Sequence, residues 1–215
     1  MKLIKGENDL LTVNPALAKE WNYEKNGTLT PDQVTEKSHK KVWWMCDKGH
    51  EWNACISNRS VLNSGCPICA NKQVLQGYND LLTLNPTLAK EWNYEKNGTL
   101  TPDQVTAKSG KKVWWKCDKG HEWETVVVNR TRGHGCPICA NKQVLQGYND
   151  LLTLNPTLAK EWNFEKNGTL TPDQVTEKSH KKVWWKCDMG HEWETWVIAR
   201  TKGRGCPFCA GRRRK

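Results

Sequence analysis

The feature that most limits how this sequence can fold is an internal repeat with a period of about 70 residues. The run from Tyr78 to Trp92 recurs unchanged as Tyr148 to Trp162, and a diverged copy runs from Glu7 to Trp21. Repetition at such a period indicates an array of small modules rather than one large domain. We therefore predict three repeats, at residues 1–70, 71–140 and 141–210, followed by a basic tail at 211–215.

Composition agrees with a divided core. A chain of 215 residues with 16 Gly, 9 Pro and only 2 Phe has too few large apolar side chains for one extensive core. The first eleven residues are polar, and no apolar run is long enough for a signal peptide or a membrane span. In such a chain, cysteines paired at short spacings favour metal binding over disulfides. We expect a protein of the reducing cytoplasm.

The second repeat illustrates the local structure that we expect. Asn85 before Pro86 predicts an N-cap and the first position of a short helix, with Leu88 and Trp92 on one face. The polar segment 97–106 predicts a loop with one helical turn. Residues 112–116 and 122–129 are rich in Val and Trp, and they predict two strands that flank the turn between Cys117 and His121.

Each repeat carries a CxxxH pair followed by a CxxC pair. Two tight pairs joined by a short loop are typical of a tetrahedral zinc site, because each pair forms a knuckle and the loop lets the knuckles face each other. Glycines precede every histidine and every CxxC, where we expect positive φ. Four protein ligands leave no open position for water, so we predict three structural Zn²⁺ ions per chain. The ligand sets are Cys46, His50, Cys66 and Cys69; Cys117, His121, Cys136 and Cys139; and Cys187, His191, Cys206 and Cys209. The tenth cysteine, Cys55, aligns with Val126 and Trp196 and is not expected to be a ligand.

The residues around these ligands also resemble a known family. The runs KKVWWKCDKGHEW, GCPICANK and GYNDLLTLNPTLAKEWN are similar to the zinc-ribbon domain of treble-clef type that occurs in tandem in bacterial and phage proteins. The resemblance covers all three repeats. It implies small zinc-stabilised α+β modules, that is, three tandem zinc-ribbon or treble-clef repeats, each a β-hairpin with zinc knuckles plus a short helix. Similar domains accompany nuclease-like domains in mobile elements, which implies handling of nucleic acid. This chain has no nuclease segment, so we expect no endonuclease activity.

The charge of the chain is consistent with a polyanionic partner. Lys and Arg number 33 and Asp and Glu number 23, which gives a formal charge of +10. A zinc ion bound by three thiolates and one neutral imidazole carries about −1, so three sites leave about +7. This excess favours nucleic acid, and a soluble lysine-rich surface is the alternative.

One arginine in each repeat stands beside positions that differ between repeats. Strand alternation would place Trp123 and Val127 on the core face and Val126, Val128 and Arg130 on the opposite face. A fixed arginine among variable neighbours suggests a surface that anchors a phosphate, whereas drift in a loop and packing of the arginine over a tryptophan are the alternatives. The candidate nucleic-acid contacts are Arg59, Arg130 and Arg200, with Arg132, Lys202 and Arg204.

Adjacent tryptophans, such as Trp114 and Trp115, recur in each repeat before the first ligand. Neighbouring strand residues face opposite ways, so we expect one of each pair in the core and the other half-covered, with stacking on exposed bases as the functional alternative.

These patterns predict a tandem zinc-module protein that binds nucleic acid, DNA ahead of RNA, in a bacterial or phage-infected cell. We expect no catalysis, because no repeated position offers paired carboxylates, a nucleophile with a base, or a phosphate loop. The alternative is a protein-binding adaptor, or a phage-type inhibitor, that acts through exposed Trp and Arg surfaces. Neither a membrane nor a small-molecule substrate is expected as a partner.

Overall fold

A computed structural model describes residues 2–212 of the chain, so Met1 and residues 213–215 of the predicted basic tail lie outside the described part. Contacts divide the protein into two compact units. One contains the chain up to Trp114 together with Thr125–Arg132, and the other contains Trp115–Glu124 together with the chain from Gly133 onward. The repeat boundaries at 70, 140 and 210 stay a prediction. Within the described residues, no helix has the length and apolar character needed to cross a bilayer.

The three repeats share one order of elements, namely three one-turn helices, a 3-10 turn, a two-stranded hairpin and a further short helix, and repeat 3 has one more helix at its end. Repeat 1 has α1 (Leu10–Val13), α2 (Pro15–Ala18), α3 (Tyr23–Asn26), a 3-10 turn at Pro31–Gln33, β1 (Lys41–Met45), β2 (Glu51–Cys55) and α4 (Ile56–Ser60). Repeat 2 has α5 (Leu81–Leu84), α6 (Pro86–Ala89), α7 (Tyr94–Asn97), a 3-10 turn at Pro102–Gln104, β3 (Lys112–Lys116), β4 (Glu122–Val126) and α8 (Val127–Thr131). Repeat 3 has α9 (Leu151–Leu154), α10 (Pro156–Ala159), α11 (Phe164–Asn167), a 3-10 turn at Pro172–Gln174, β5 (Lys182–Lys186), β6 (Glu192–Trp196), α12 (Val197–Thr201) and α13 (Pro207–Arg212).

The first two helices of each repeat are separated by an Asn-Pro step. In repeat 2, Asp80 caps α5 by accepting a hydrogen bond from the Thr83 backbone N–H at 2.8 Å. Pro86 then begins α6, because proline suits the first turn of a helix but interrupts its interior. The predicted helix at Pro86 is confirmed, although it ends at Ala89, before Trp92. The Trp92 side chain is nevertheless buried, and its Nε1 donates to the Leu100 carbonyl at 3.0 Å.

The three hairpins form two-stranded antiparallel sheets. In repeat 1 the register runs from Lys41 opposite Cys55 to Met45 opposite Glu51, and in repeat 3 from Lys182 opposite Trp196 to Lys186 opposite Glu192. The predicted strand at 112–116 is confirmed.

The second predicted strand, 122–129, is wrong at its end: β4 stops at Val126, and residues 127–131 form α8. Val127 and Val128 donate their backbone N–H groups to the carbonyls of Lys111 and Ser109, in the turn before β3, at 3.0 Å each. One helical turn then buries Val127 and Arg130, which are three residues apart. The run of β-branched residues favoured a strand in the sequence, but the packing of this turn overrides that preference.

A tryptophan forms the centre of each repeat, and Trp44, Trp115 and Trp185 are fully buried. In repeat 1, Trp44 contacts Trp21 edge to face, with ring centroids 5.5 Å apart and an interplanar angle of 79°. Repeat 3 has the same arrangement, with 5.4 Å and 77° between Trp162 and Trp185. This geometry is the one that aromatic rings prefer.

The other tryptophan of each adjacent pair is half-buried and carries a lysine over its ring. The Nζ atoms of Lys25, Lys96 and Lys166 lie 4.5, 4.2 and 4.3 Å from the ring centroids of Trp43, Trp114 and Trp184. The expectation of one core and one half-covered tryptophan per pair is confirmed.

A buried asparagine joins consecutive repeats inside each compact unit. Asn79, 4 % exposed, donates from Nδ2 to the carbonyls of Ile68 at 3.1 Å and Gln73 at 3.0 Å. Its Oδ1 accepts from the Leu75 backbone N–H at 2.7 Å. Asn149 makes the same three hydrogen bonds, to Ile138, Gln143 and Leu145. Each asparagine thus attaches the segment that leaves one zinc site to the start of the next repeat.

We predict that Asn79→Ala lowers the free energy of unfolding by about 2 kcal/mol, because it leaves buried backbone groups without partners. Asn8→Ala is the matched control. Asn8 precedes the equivalent aspartate in repeat 1, but its two hydrogen bonds, to Ile4 and Lys2, are solvent-exposed. Urea unfolding followed by tryptophan fluorescence measures both variants. Equal losses in the two would show that the junction contributes nothing particular.

Candidate functional site

The first knuckle of each zinc site is the turn of the hairpin. In repeat 1, Cys46 follows β1 and His50 precedes β2. The Cys46 N–H donates to the His50 carbonyl at 3.0 Å, and the Gly49 N–H donates to the Cys46 carbonyl at 2.9 Å. Gly49 has φ +77°, which L side chains rarely adopt, and Gly120 and Gly190 have +79° and +76°. The tight turn therefore directs the thiol and the imidazole to one point, and positive φ at these three glycines is confirmed.

The second knuckle differs from what we expected. Gly65, Gly135 and Gly205, which precede the CxxC pairs, do not have positive φ, so that prediction is wrong. The left-handed residues are Asn71 and Asn141, at φ 55° and 54°. They follow the CxxC turn and end it through hydrogen bonds from their N–H groups to the carbonyls of Ile68 and Ile138.

Repeat 3 continues its CxxC pair into a helix. Gly211 occupies the position of Asn71 and Asn141 and lies inside α13, which also contains the ligand Cys209. In repeats 1 and 2 the corresponding segments are turns. The knuckles of repeats 1 and 2 thus end at a left-handed asparagine, whereas the knuckle of repeat 3 continues as a helix.

The four donor atoms of each set lie as a zinc ion requires. Ligand distances of about 2.3 Å for sulfur and about 2.0 Å for nitrogen place tetrahedral donors about 3.8 Å apart for S···S and about 3.5 Å for S···N. In repeat 1, Cys46 Sγ lies 3.9 Å from Cys69 Sγ, and His50 Nδ1 lies 3.2–3.7 Å from all three sulfurs. Repeat 2 gives the same values, and repeat 3 gives 3.9 Å and 3.3–3.6 Å.

The electrostatics of the sites call for a cation. Burial and then the neighbouring thiols Cys66 and Cys46 raise the pKa of Cys69 to about 11. The same causes raise the pKa of Cys139 to about 12 and that of Cys209 to about 11. Three thiolates this close together repel one another unless a dication lies between them.

All ten cysteines lack disulfide partners, and each predicted ligand set comes together as one cluster. The prediction of three structural zinc sites is confirmed. A zinc ion bound there would be fully coordinated by protein, and it would hold the two knuckles of a repeat together.

An aromatic ring covers each ligand histidine, a feature that we did not predict. The His50 ring meets Tyr78 edge to face at a centroid distance of 4.3 Å, and His121 meets Tyr148 at the same distance. His191 instead lies 5.5 Å from Phe208, which replaces the Ile68 and Ile138 of the other repeats. For His191, the sequence signal that could have predicted this contact was Phe208, which stands between the two cysteines where the other repeats have Ile. Aromatic cover takes the place of the carboxylate or carbonyl that often contacts a zinc-bound histidine.

The arginines predicted to lie on an exposed strand face are in fact buried on α4, α8 and α12. Arg59, Arg130 and Arg200 are only 6–7 % exposed, because their helices begin where the strand was expected to continue. Arg59 forms an ion pair with Glu20 and donates to the Ser64 carbonyl. Arg130 pairs with Glu91, and Arg200 with Glu161, at 2.5 Å each.

The guanidinium groups of Arg59 and Arg200 also stack on core tryptophans. Arg59 Cζ lies 5.2 Å from the ring centroid of Trp44 and 5.0 Å from that of Trp52. Arg200 has equivalent distances of 5.3 and 5.2 Å to Trp185 and Trp193. Burial lowers the pKa of Arg59, and the Glu20 carboxylate opposes this shift. These contacts favour the alternative in which the arginine stabilises its own repeat, and little of its surface is left for a phosphate.

The other three candidate contacts lie on the surface. Arg132, Lys202 and Arg204 are exposed in the turns that follow α8 and α12. Their contact with nucleic acid stays a prediction.

We predict that native mass spectrometry finds three zinc ions per chain and that Cys136→Ser reduces the number to two. Chelation should unfold the protein, because each core is small and depends on the metal. Cys55→Ser is the matched control and should retain all three ions, since Cys55 lies outside the ligand sets. Three ions in the Cys136→Ser protein would contradict the assignment.

For Arg200→Ala we predict a loss of about 2–3 kcal/mol in unfolding free energy, from the broken ion pair and the lost stacking on tryptophan. Zinc content and the salt dependence of any nucleic-acid binding should not change. Lys202→Ala, two residues away and exposed, should leave stability within about 0.5 kcal/mol. Thermal unfolding and a salt titration separate the two effects. A changed salt dependence at unchanged stability would restore Arg200 as a phosphate contact.

Comparison with known proteins places this site in a family. A family model described as a probable treble clef zinc finger domain matches residues 17–72, 88–142 and 158–212, which together make up more than half of the chain. No curated protein matches the sequence. Each matched segment contains one complete set of four ligands. The chain belongs to the treble clef zinc finger family that this model describes, in three tandem copies.

Proposed function

We propose that the protein is a non-catalytic nucleic-acid-binding protein in which three zinc modules present a basic surface, with DNA favoured over RNA. Zinc fingers commonly bind nucleic acid or protein. The observation that carries our choice is a difference between the two signs of charge: many carboxylates are engaged inside the modules, whereas many lysines point outward.

The engaged carboxylates recur in each repeat. Asp9, Asp80 and Asp150 are buried caps of α1, α5 and α9, and each accepts hydrogen bonds from backbone N–H groups. Glu20, Glu91 and Glu161 pair with the buried arginines of α4, α8 and α12. Internal partners hold these carboxylates, so they offer little attraction to an external cation and little repulsion to an external polyanion.

Exposed Lys and Arg side chains therefore make the surface positively charged. Lys19, Lys90 and Lys160 follow α2, α6 and α10 and are exposed, as are Arg132, Lys202 and Arg204. A net charge of about +7 with zinc bound attracts a polyanion and steers its approach. DNA is favoured over RNA because the domains that this chain resembles accompany nuclease-like domains in mobile elements. We also propose that the protein works in a reducing cytoplasm, which keeps its thiolate ligands free of disulfides.

A protein-binding adaptor is the second candidate, and exposed apolar side chains support it. Leu11, Leu82 and Leu152 are 45–48 % exposed at equivalent positions of α1, α5 and α9. Trp196 is also 48 % exposed. Apolar groups that recur on a surface can mark a protein interface.

Binding to duplex DNA, single-stranded DNA and RNA, titrated with salt, tests the proposal. We expect log K to fall linearly with log salt, with a slope of about −0.9 per phosphate contact on duplex DNA, and we expect DNA to bind more tightly than RNA. The same protein stripped of zinc should not bind, because its modules unfold. Absence of binding to all three at ~50 mM salt, where electrostatic binding is strong, would favour the adaptor.

A further inference from the structure

Two equivalent clefts lie where one repeat meets the next. The first has a volume of about 420 Å³ and the second about 480 Å³, both within the roughly 300–1,000 Å³ typical of ligand pockets. One wall of each is the segment that follows a CxxC pair, at residues 71–74 and 141–144. The other wall is the turn before the hairpin of the next repeat, at residues 104–111 and 174–181.

The lining of these clefts is basic. Lys72, Lys108 and Lys111 line the first, and Lys142, Lys178 and Lys181 line the second. No Asp or Glu lines either cleft. All six lysines are exposed, and within residues 2–212 none of them forms an ion pair. Three ammonium groups around one depression, without a counter-charge from the protein, are suited to an anion.

The walls are fixed by hydrogen bonds rather than left to loop motion. Thr106 Oγ1 donates to the Asn71 carbonyl at 3.4 Å, and Thr176 Oγ1 donates to the Asn141 carbonyl at 3.3 Å. In the second wall, the Ser109 N–H donates to the Thr106 carbonyl at 2.9 Å. The buried Asn79 and Asn149 hold the segments behind the first walls. The lysine backbones are therefore already positioned, which lowers the entropic cost of binding.

Acidic side chains near the clefts are occupied elsewhere. Asp103 accepts hydrogen bonds from Thr101 and, at 2.8 Å, from Gln76. Glu177 accepts one from Asn155 Nδ2 at 3.3 Å. Among the lining positions, the two clefts differ only at Gly110, which His180 replaces.

We propose that each junction cleft is a binding site for phosphate groups, and that in the assembled complex these belong to the backbone of the nucleic acid. This inference rests on the proposed function and gives it a location. A lysine contacts phosphate as a point charge without reading bases, so the clefts would contribute affinity rather than sequence preference.

The test removes three positive charges from one cleft with Lys72→Gln, Lys108→Gln and Lys111→Gln in the full-length zinc-loaded chain. The control removes three exposed charges outside the clefts with Lys37→Gln, Lys40→Gln and Lys41→Gln. Both variants have the same net charge, so any difference reflects position. The cleft variant should bind duplex DNA about tenfold or more weakly at ~100 mM salt, with a salt slope reduced in magnitude by about 3. The control should retain most of the wild-type slope, and Lys→Arg at the three cleft positions should restore binding.

Equal effects of the cleft and control variants would overturn the cleft sites while leaving nucleic-acid binding in place. Pyrophosphate provides a second probe, followed by chemical shifts of the lysine side chains in NMR spectra. Shifts at Lys72, Lys108 and Lys111 in a protein that binds no nucleic acid would support an anion site and reject the proposed function. Failure of the wild-type protein to bind either DNA or pyrophosphate would reject both. Zinc content and circular dichroism of each variant establish that it is folded.

Discussion

Tetrahedral coordination of zinc is the constraint on which the rest of this structure depends. Each site joins the turn of a hairpin to a CxxC segment that lies 16 residues after the ligand histidine in repeat 1 and 15 after it in repeats 2 and 3. In repeat 1 the second segment also brings Ile68 and Cys66 into the core beside Trp44. Metal binding and core formation therefore depend on each other. The thiols cannot all ionise at close range without the cation, and without the CxxC segment one side of the core is left uncovered.

The arginine of each fourth helix is the second element that closes a repeat. Arg59 lies over two tryptophans of the hairpin and pairs with Glu20, which follows α2. One side chain thus connects the beginning, the middle and the end of the repeat. This explains why the arginine is present in all three repeats while its neighbours differ: Val126 and Val128 are half-buried, and the corresponding Trp196 and Ile198 do not have to make these contacts.

The parts of the structure that follow from short spacings were predictable from the sequence. The twelve zinc ligands are of this kind, as are the turn glycines Gly49, Gly120 and Gly190 and the first strand of the hairpin. The helix at residues 127–131 was not predictable, because Val and Thr favour a strand and only the packing of Arg130 and Val127 decides for a helix. The error about the exposure of the arginines followed from that one, since strand alternation was carried past Val126. The prediction of positive φ at Gly65 was wrong for another reason. The second knuckle has its left-handed residue after the cysteines, at Asn71, and an asparagine indicates that conformation less strongly than a glycine does.

The junction clefts could not be predicted at all, because Lys72 is 36 residues from Lys108 and nothing in either segment indicates their proximity. They exist only where two repeats meet, so they are a property of the array and not of the single module. The first wall of each cleft continues from the CxxC pair of one repeat, and the second wall belongs to the next. A cleft therefore depends on the zinc site of the repeat that precedes it, and loss of one metal would affect a surface that two modules share. If the clefts bind phosphate, adding a repeat adds a zinc site and an anion site together. Affinity for a long polyanion would then rise with the number of junctions, since contacts made by linked sites reinforce one another.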